Sequence, residues 1–303
     1  MTVIGFIGLG TMGGPMAANL VKAGYEVKGF DLVPAACYRA VEDGIKVTSS
    51  AVEAADGVDV LITMLPKGDH VRQALLVDNG PLSVLAPGAV VIDSSSIDVP
   101  TSRDLHERGV ELGIDVLDAP VSGGLAGAQA GTLTFMIGGA SEIVEKVRPL
   151  FQAMGSRTVL TGGPGSGQVA KAVNQMVFGS SLVALSEAFV IAERLGVSPQ
   201  NLFDVLSTSS GDCWALHNFC PLPGLVEGSA ADNNYAPKFA AALLSKDLGL
   251  AATAADSAGV ELVVGRGAKD KLDELSINDG HLDASAVITK VGLKLAAAAS
   301  GPI

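Results

Sequence analysis

Basic residues are scarce in this sequence: 20 Lys and Arg stand against 32 Asp and Glu, a formal net charge of −12. A phosphate backbone or an anionic lipid surface is bound through a basic face, so nucleic acid and membrane are both excluded as expected partners. Cysteine is nearly absent. Cys37, Cys213 and Cys220 form an odd set at unrelated spacings, which excludes a disulfide framework and points to free thiols in a reducing compartment, with the cytoplasm as the expectation. The four histidines, His70, His106, His217 and His281, show no ligand spacing, so no metal centre is expected. No GxSxG turn is present, which removes a serine-hydrolase reading. The apolar start MTVIGFIGLG has no basic segment before it and is broken by glycines; it reads as a strand rather than a secretion signal.

What is abundant is small and apolar. Hydrophobic residues make up 48% of the chain, aromatics only 4%, and there are 37 glycines, a composition that predicts closely approaching backbones in a globular protein. The length of 303 residues predicts two domains. Short β-rich runs at 3–7, 25–30, 58–64, 89–95, 115–120, 132–138 and 157–160 alternate with helical stretches, the pattern of an α/β domain with a doubly wound, mostly parallel sheet. The densest Gly/Pro segment, 161–167, marks the boundary, giving domains 1–162 and 163–303. Beyond it the patterns are helical only, so the second domain is expected to be all-α. They are a long helix over 168–195 closed by Gly196, one opened by Ser198-Pro199, a loop over 221–234, and helices over 237–257 and 284–299. The most apolar stretch, 176–192, follows Lys171, Asn174 and Gln175 and carries Glu187; it reads as an interior helix joining the two domains, not a membrane span.

Gly8-Leu9-Gly10-Thr11-Met12-Gly13 fits GxGxxG after a strand and before the helical run 15–23. In that context the first glycine allows the tight turn, the second lets a pyrophosphate approach the backbone, and the third lets helix and strand pack closely. This is the fingerprint of a Rossmann-type dinucleotide site. Asp31 stands 23 positions after Gly8, at the end of the second strand, followed by Leu32 and Val33 rather than arginine. A carboxylate there accepts hydrogen bonds from ribose hydroxyls and repels a 2′-phosphate, so the expected cofactor is NAD.

Three distant segments carry polar groups suited to chemistry. Asp118-Ala119-Pro120-Val121-Ser122-Gly123-Gly124 offers a hydroxyl and two unobstructed N–H groups, a cradle for a carboxylate or an ordinary loop. On the long helix, Lys171, Asn174 and Gln175 share one face. A lysine half-buried there would have its amine pKa lowered toward the range of a general base, but by itself it reads more simply as a snorkelling side chain. Lys246-Asp247 interrupts the apolar run AALLSKDLGLAATAA, either as a structural ion pair or as an ammonium reaching the cofactor.

In their order, GLGTMG, DAPVSGG, GQVAKAVNQ and KDLGLA resemble the β-hydroxyacid dehydrogenases over nearly the whole chain. Cys213-Trp214-Ala215, Pro221-Leu222-Pro223-Gly224 and the ending from Asp283 to Val287 are most similar to the 3-hydroxyisobutyrate branch. The resemblance implies Lys171 as general acid/base, Ser122, Gly123 and Gly124 around the substrate carboxylate and hydroxyl, and Asn174 orienting the substrate. It further implies Gln175, Trp214 and Phe239 at the substrate, and Met64, Leu65, Pro66, Ser96 and Lys246 beside NAD, with Leu9, Thr11, Met12 and Leu32 flanking the motif residues already named. It also implies a small hydroxyacid as substrate and a homodimer or homotetramer built on the helical domain. Departures fall at Gln175, where a second asparagine is common, at Ser96, where threonine is usual, and at Cys220, where asparagine is usual. The last of these, near His217 and Asn218, bears on which acid is used. Rival readings are a sister enzyme for tartronate semialdehyde, succinic semialdehyde, L-serine, L-threonate or a sulfonated analogue, and a non-catalytic NAD-binding scaffold. Retention of Lys171 with Ser122 and Asn174 counts against the scaffold.

Overall fold

The computed structural model describes residues 2–293. Its contacts divide the chain between Lys171 and Ala172. In the first unit the strands are β1 (Val3–Ile7), β2 (Glu26–Phe30), β3 (Lys46–Val47), β4 (Val60–Thr63), β5 (Val90–Asp93), β6 (Asp115–Asp118), β7 (Val121–Ser122), β8 (Leu133–Gly138) and β9 (Gly155–Gly162). They form one sheet in the order β3-β2-β1-β4-β5-β6-β8-β7, with β9 on β8. Strands β1 to β6 pair in parallel, and β8 runs antiparallel to β6 and β7. The expected α/β sheet is present. Strands β3 and β7, two residues each, escape sequence reading because so short a run displays no period.

All four residues of β4 and of β5 are buried, as both faces of a parallel sheet require. Alternation divides them. Val60, Ile62, Val90 and Ile92 pack with Phe6 and Met16 on one face, whereas Leu61 and Val91 pack with Ala54, Val71 and Leu105 on the other. The covering helices are α1 (Gly13–Lys22), α2 (Pro34–Glu42), α3 (Ala51–Ala55), α4 (Gly68–Leu75), α5 (Val99–Leu112), α6 (Gly124–Ala130) and α7 (Ser141–Met154). Strand β1 lies between β2 and β4, so the order reverses beside it, and the carboxyl ends of strands at such a reversal are where open α/β sheets bind ligands.

Helix α8 (Ser166–Arg194) begins in the first unit and continues into the second, which adds α9 (Pro199–Ser207), α10 (Trp214–Asn218), α11 (Ala241–Ser257), α12 (Val263–Asp279) and a 3-10 helix, Ala284–Lys290. Apart from the isolated bridge between Ala240 and Asp283, the described residues of this unit contain no strand. Leu182, Leu185 and Phe189 of α8 pack with Leu244, Leu248 and Leu272. By length and composition α8 could cross a membrane, but half of its most apolar window is buried inside the protein, the condition of a core helix.

Two helical expectations are corrected, and one further helix is present. The helix expected from 237 begins at Ala241, because the N–H groups of Lys238 and Phe239 are drawn to Asp283 Oδ2 at 2.9 and 3.0 Å. The helix expected over 284–299 is a 3-10 turn to Lys290, and its remainder from 294 lies outside the described residues. Helix α12 was not anticipated: it buries Gly265, Ala268, Leu272 and Leu275, and two of those four are too small to register as a hydrophobic stripe.

Candidate active site

The GxGxxG segment leaves β1 and enters α1. Gly8 adopts φ +95°, and a Cβ on it would sit 2.3 Å from the Met64 carbonyl oxygen; one on Gly13 would sit 1.9 Å from the Gly8 carbonyl oxygen. A Cβ on Gly10 would meet nothing within 4 Å. Two of the glycines are therefore demanded by the protein's own packing. The middle one faces open space, as expected where a ligand's pyrophosphate, not the chain, excludes a side chain. Helix α1 has no side-chain cap at its start and no acid in its first turn, so its N-terminal field suits an anion. The residues present fit a dinucleotide.

Asp31 closes this cradle. Its Oδ2 accepts from Leu9 N–H and its Oδ1 from Val33 N–H, both at 2.7 Å. The carboxylate thus ties the end of β2 to the glycine loop while keeping lone pairs for ribose hydroxyls. Leu9 is spent on the fold, since its side chain lies in the core and its N–H is given to Asp31. Gly10, Thr11 and Leu32 are exposed, and Met12 packs half-buried against the core.

Neighbouring strand ends are laced together. The Thr63 hydroxyl donates to Asp93 Oδ1 at 2.7 Å, Ser95 N–H donates to the same oxygen at 3.1 Å, and Leu65 N–H donates to Ser95 Oγ at 2.9 Å. Met64, Leu65, Pro66 and Ser96 therefore lie on adjacent loops, after β4 and β5, beside the glycine loop. Asp93 is 1% exposed, and among the described residues its Oδ2 has no hydrogen-bond partner. Burial pushes its carboxyl up from 3.8 to about 6, against the hydrogen bonds from Ser95 and Thr63, with the negative Asp118 adding to the rise.

That shift has a definite sign. A carboxyl whose pKa is higher folded than unfolded favours the fold while protonated, so this contribution is complete below about pH 4 and is lost as pH rises through about 6. At 1.4 kcal/mol per unit the loss amounts to about 3 kcal/mol at most. Wild-type Tm should accordingly fall more steeply between about pH 4 and 6 than that of Asp93→Asn, which cannot ionise. Parallel Tm profiles in differential scanning calorimetry would show that Asp93 does not titrate in this range.

At the end of β6, buried Asp118 receives the start of α8. Its Oδ1 accepts from Gly165 N–H at 2.8 Å and lies 2.9 Å from His106 Nε2, while its Oδ2 accepts from Gln168 N–H at 3.1 Å. A carboxylate here satisfies N–H groups that begin a helix without intrahelical partners. The Gln168 side chain donates from Nε2 to the Ser95 carbonyl at 2.8 Å and accepts at Oε1 from Ile97 N–H at 3.1 Å. Lys171, one turn further along α8, is buried with 9% of its surface exposed. Four residues after Asp118, Ser122 ends β7 half-buried; Gly123 and Gly124 follow with φ of +134° and +61°, conformations that only glycine adopts without strain.

The second unit holds the other expected residues in a chain of polar contacts. Asn174, exposed, donates from Nδ2 to Gln175 Oε1 at 3.2 Å; Gln175 donates from Nε2 to Asp247 Oδ2 at 2.8 Å; and Asp247 Oδ1 lies 3.1 Å from Lys246 Nζ. Trp214, 61% exposed, meets Phe178 edge-on and Phe219 at a tilt, with centroids 5.6 and 5.5 Å apart. Phe239 is half-buried against the unit's core. Sequence reading gave no role to Asp93, Ser95, His106, Asp118 or Gln168. Their available signal was a carboxylate as the last residue of each of two apolar strands and an amide opening an apolar helix.

Residues 3–163 match the family model described as the NAD binding domain of 6-phosphogluconate dehydrogenase, and residues 165–291 match the one described as NAD-binding of NADP-dependent 3-hydroxyisobutyrate dehydrogenase. Over 288 residues the chain is 45% identical to a probable 3-hydroxyisobutyrate dehydrogenase of Mycobacterium tuberculosis, covering 95% of this chain and 97% of that one. The chain belongs to the β-hydroxyacid dehydrogenases. Like others of that family it is an NAD-dependent dehydrogenase. This β-hydroxyacid dehydrogenase is also 44% identical over 265 residues to an NAD-dependent L-serine dehydrogenase of Pseudomonas aeruginosa, covering 88% of this chain and 89% of that one. A solved structure of the M. tuberculosis 3-hydroxyisobutyrate dehydrogenase with L-serine superposes with a TM-score of 0.93 at 44% identity, covering 97% of this chain and all of the other.

Proposed function

We propose that this dehydrogenase reversibly oxidises 3-hydroxyisobutyrate to methylmalonate semialdehyde. The observation that supports the chemistry is the burial of Lys171 on a helix whose first turn is fastened to the loop after β5. The neutral Nζ of Lys171 takes the hydroxyl proton of the substrate as its carbon–oxygen bond becomes a carbonyl. Ser122 and the N–H groups of Gly123 and Gly124 hold the carboxylate, Asn174 orients the hydroxyl, and Gln175, Trp214 and Phe239 border the substrate. Holding the carbinol fixed in this way supplies much of the rate. NAD, held by Gly8 to Gly13, Asp31, Met64 to Pro66, Ser96 and Lys246, supplies the hydride acceptor. The relatives with 3-hydroxyisobutyrate in their names support this substrate.

L-serine is the second reading, supported by the P. aeruginosa relative and by the structure with L-serine. It keeps the hydroxymethyl group and carboxylate and exchanges a methyl for an ammonium. Spectrophotometric NADH formation with both acids separates them: at least tenfold higher kcat/KM for 3-hydroxyisobutyrate is expected, and the reverse order would replace it with serine.

The helical unit leaves Val173, Val177, Ile191, Val263 and Val264 exposed, apolar area that a homodimer or homotetramer would cover. Sedimentation equilibrium at micromolar concentration should therefore give two or four times the 30.6 kDa chain mass. A monomer would remove this part of the proposal.

A further inference from the structure

The Gln168 side chain stands in the place of a neighbouring strand. Ser95 C=O and Ile97 N–H are two residues apart in the loop after β5, and the Gln168 amide meets both, donor to acceptor and acceptor to donor. A primary amide carries that pair of groups in one plane, as a peptide does across a β-ladder. Gln168 is only 1% exposed, so water does not compete for either bond and neither backbone group has an alternative partner in solvent. Its own N–H is held by Asp118, which also holds Gly165. The first turn of α8 is thus pinned through its backbone to β6 and through one side chain to the loop after β5.

The same loop faces the cofactor side. Ser95 receives Leu65 N–H on its hydroxyl and Gln168 on its carbonyl, so hydrogen bonds run without a break from the β4 loop to Gln168. Lys171 follows one turn later, about 5 Å along the same side of the helix. We propose that Gln168 is a positioning residue: by clamping the first turn of α8 to the Ser95–Ile97 backbone, it sets where the Lys171 amine meets the substrate hydroxyl. This rests on the assignment of Lys171 as general acid/base. Asparagine would be one methylene short of the backbone pair, and a carboxylate would keep the bond from Ile97 but oppose the Ser95 carbonyl.

The test is a double-mutant cycle on the full-length enzyme with Gln168→Met, which keeps length and volume while removing both bonds, and Lys171→Ala. In the wild-type background Gln168→Met should lower kcat about 10- to 100-fold, the scale of a misplaced reacting group. The Kd for NADH, by fluorescence titration, should change less than about twofold. In the Lys171→Ala background the same change should lower the residual kcat less than about twofold, because the group being positioned is gone. An equal loss in both backgrounds would mean that Gln168 supports the fold in general, and wild-type kcat in the single variant would overturn the proposal outright. If Lys171→Ala alone turns over normally, the fault lies in the Lys171 assignment, so the two failures are distinguishable. Should Gln168→Met not fold by circular dichroism, Gln168→Glu serves: it keeps the Ile97 bond, an intermediate loss of kcat at unchanged NADH affinity is expected, and full kcat would overturn the clamp.

Discussion

Lys171→Ala is expected to lower kcat by about 10²- to 10⁴-fold, the range contributed by a positioned general acid/base, while Kd for NAD shifts less than about twofold. The asymmetry follows from where the residues sit. The glycine loop and Asp31 belong to the ends of β1 and β2, whereas Lys171 is carried by α8, and its own fastening runs through Gln168 and Asp118. Lys171→Arg should be as slow as the alanine variant. A guanidinium keeps the charge, but it stays protonated at any working pH, which denies it the neutral form that takes a proton. Steady-state rates with a parallel fluorescence titration of NADH read both quantities. Turnover near wild type in either variant would remove Lys171 from the chemistry.

The second large effect is expected at Asp31. Charged hydrogen bonds contribute about 1.5–3 kcal/mol each, so Asp31→Ala should reduce kcat/KM for NAD by about 10- to 100-fold. It should also narrow the preference over NADP, since the carboxylate that repels a 2′-phosphate is gone. Part of the loss comes through the loop, because the same carboxylate holds Leu9 and Val33. Asp31→Asn separates the contributions: it keeps one acceptor for the loop without the negative charge, so NADP should gain more than NAD recovers. Initial rates with both cofactors decide the matter, and an unchanged NAD to NADP ratio in both variants would show that selectivity lies elsewhere.

Much of the fold is legible in the chain because its signals are local. Short, largely apolar strands alternate with loops and helices through most of the first unit, and each such run is recognisable by its own composition. The GxGxxG segment is legible for the same reason: a turn, a strand end and a helix start must coincide within a few residues. The helix starting at Ala241 was misjudged because the competing partner, Asp283, is more than forty residues away. Helix α12 was missed because small residues bury a face without announcing it.

The site divides along the same line. That Gly8, Gly10, Gly13 and Asp31 come together is legible in the sequence, since the spacing of a βαβ unit dictates their meeting. Asp93, Asp118 and Gln168 are not legible in this way, because their roles come from strand order. Only the pairing of β5 with β6 sets the two carboxylates side by side, and only the seating of α8 beyond them brings an amide from residue 168 to the backbone at 95 and 97.

For the candidate dinucleotide site, then, local order along the chain is sufficient to bring its residues together, because one strand, one turn and one helix build most of it. The open space at Gly10 beside the closed packing at Gly8 and Gly13 added the physical reason for each glycine. What only the tertiary structure decided is how the start of α8 is fixed, since a buried carboxylate and a buried amide hold it through partners 47 and 73 residues away. Contacts of that range leave no periodicity in a sequence; they exist once the sheet has ordered its strands.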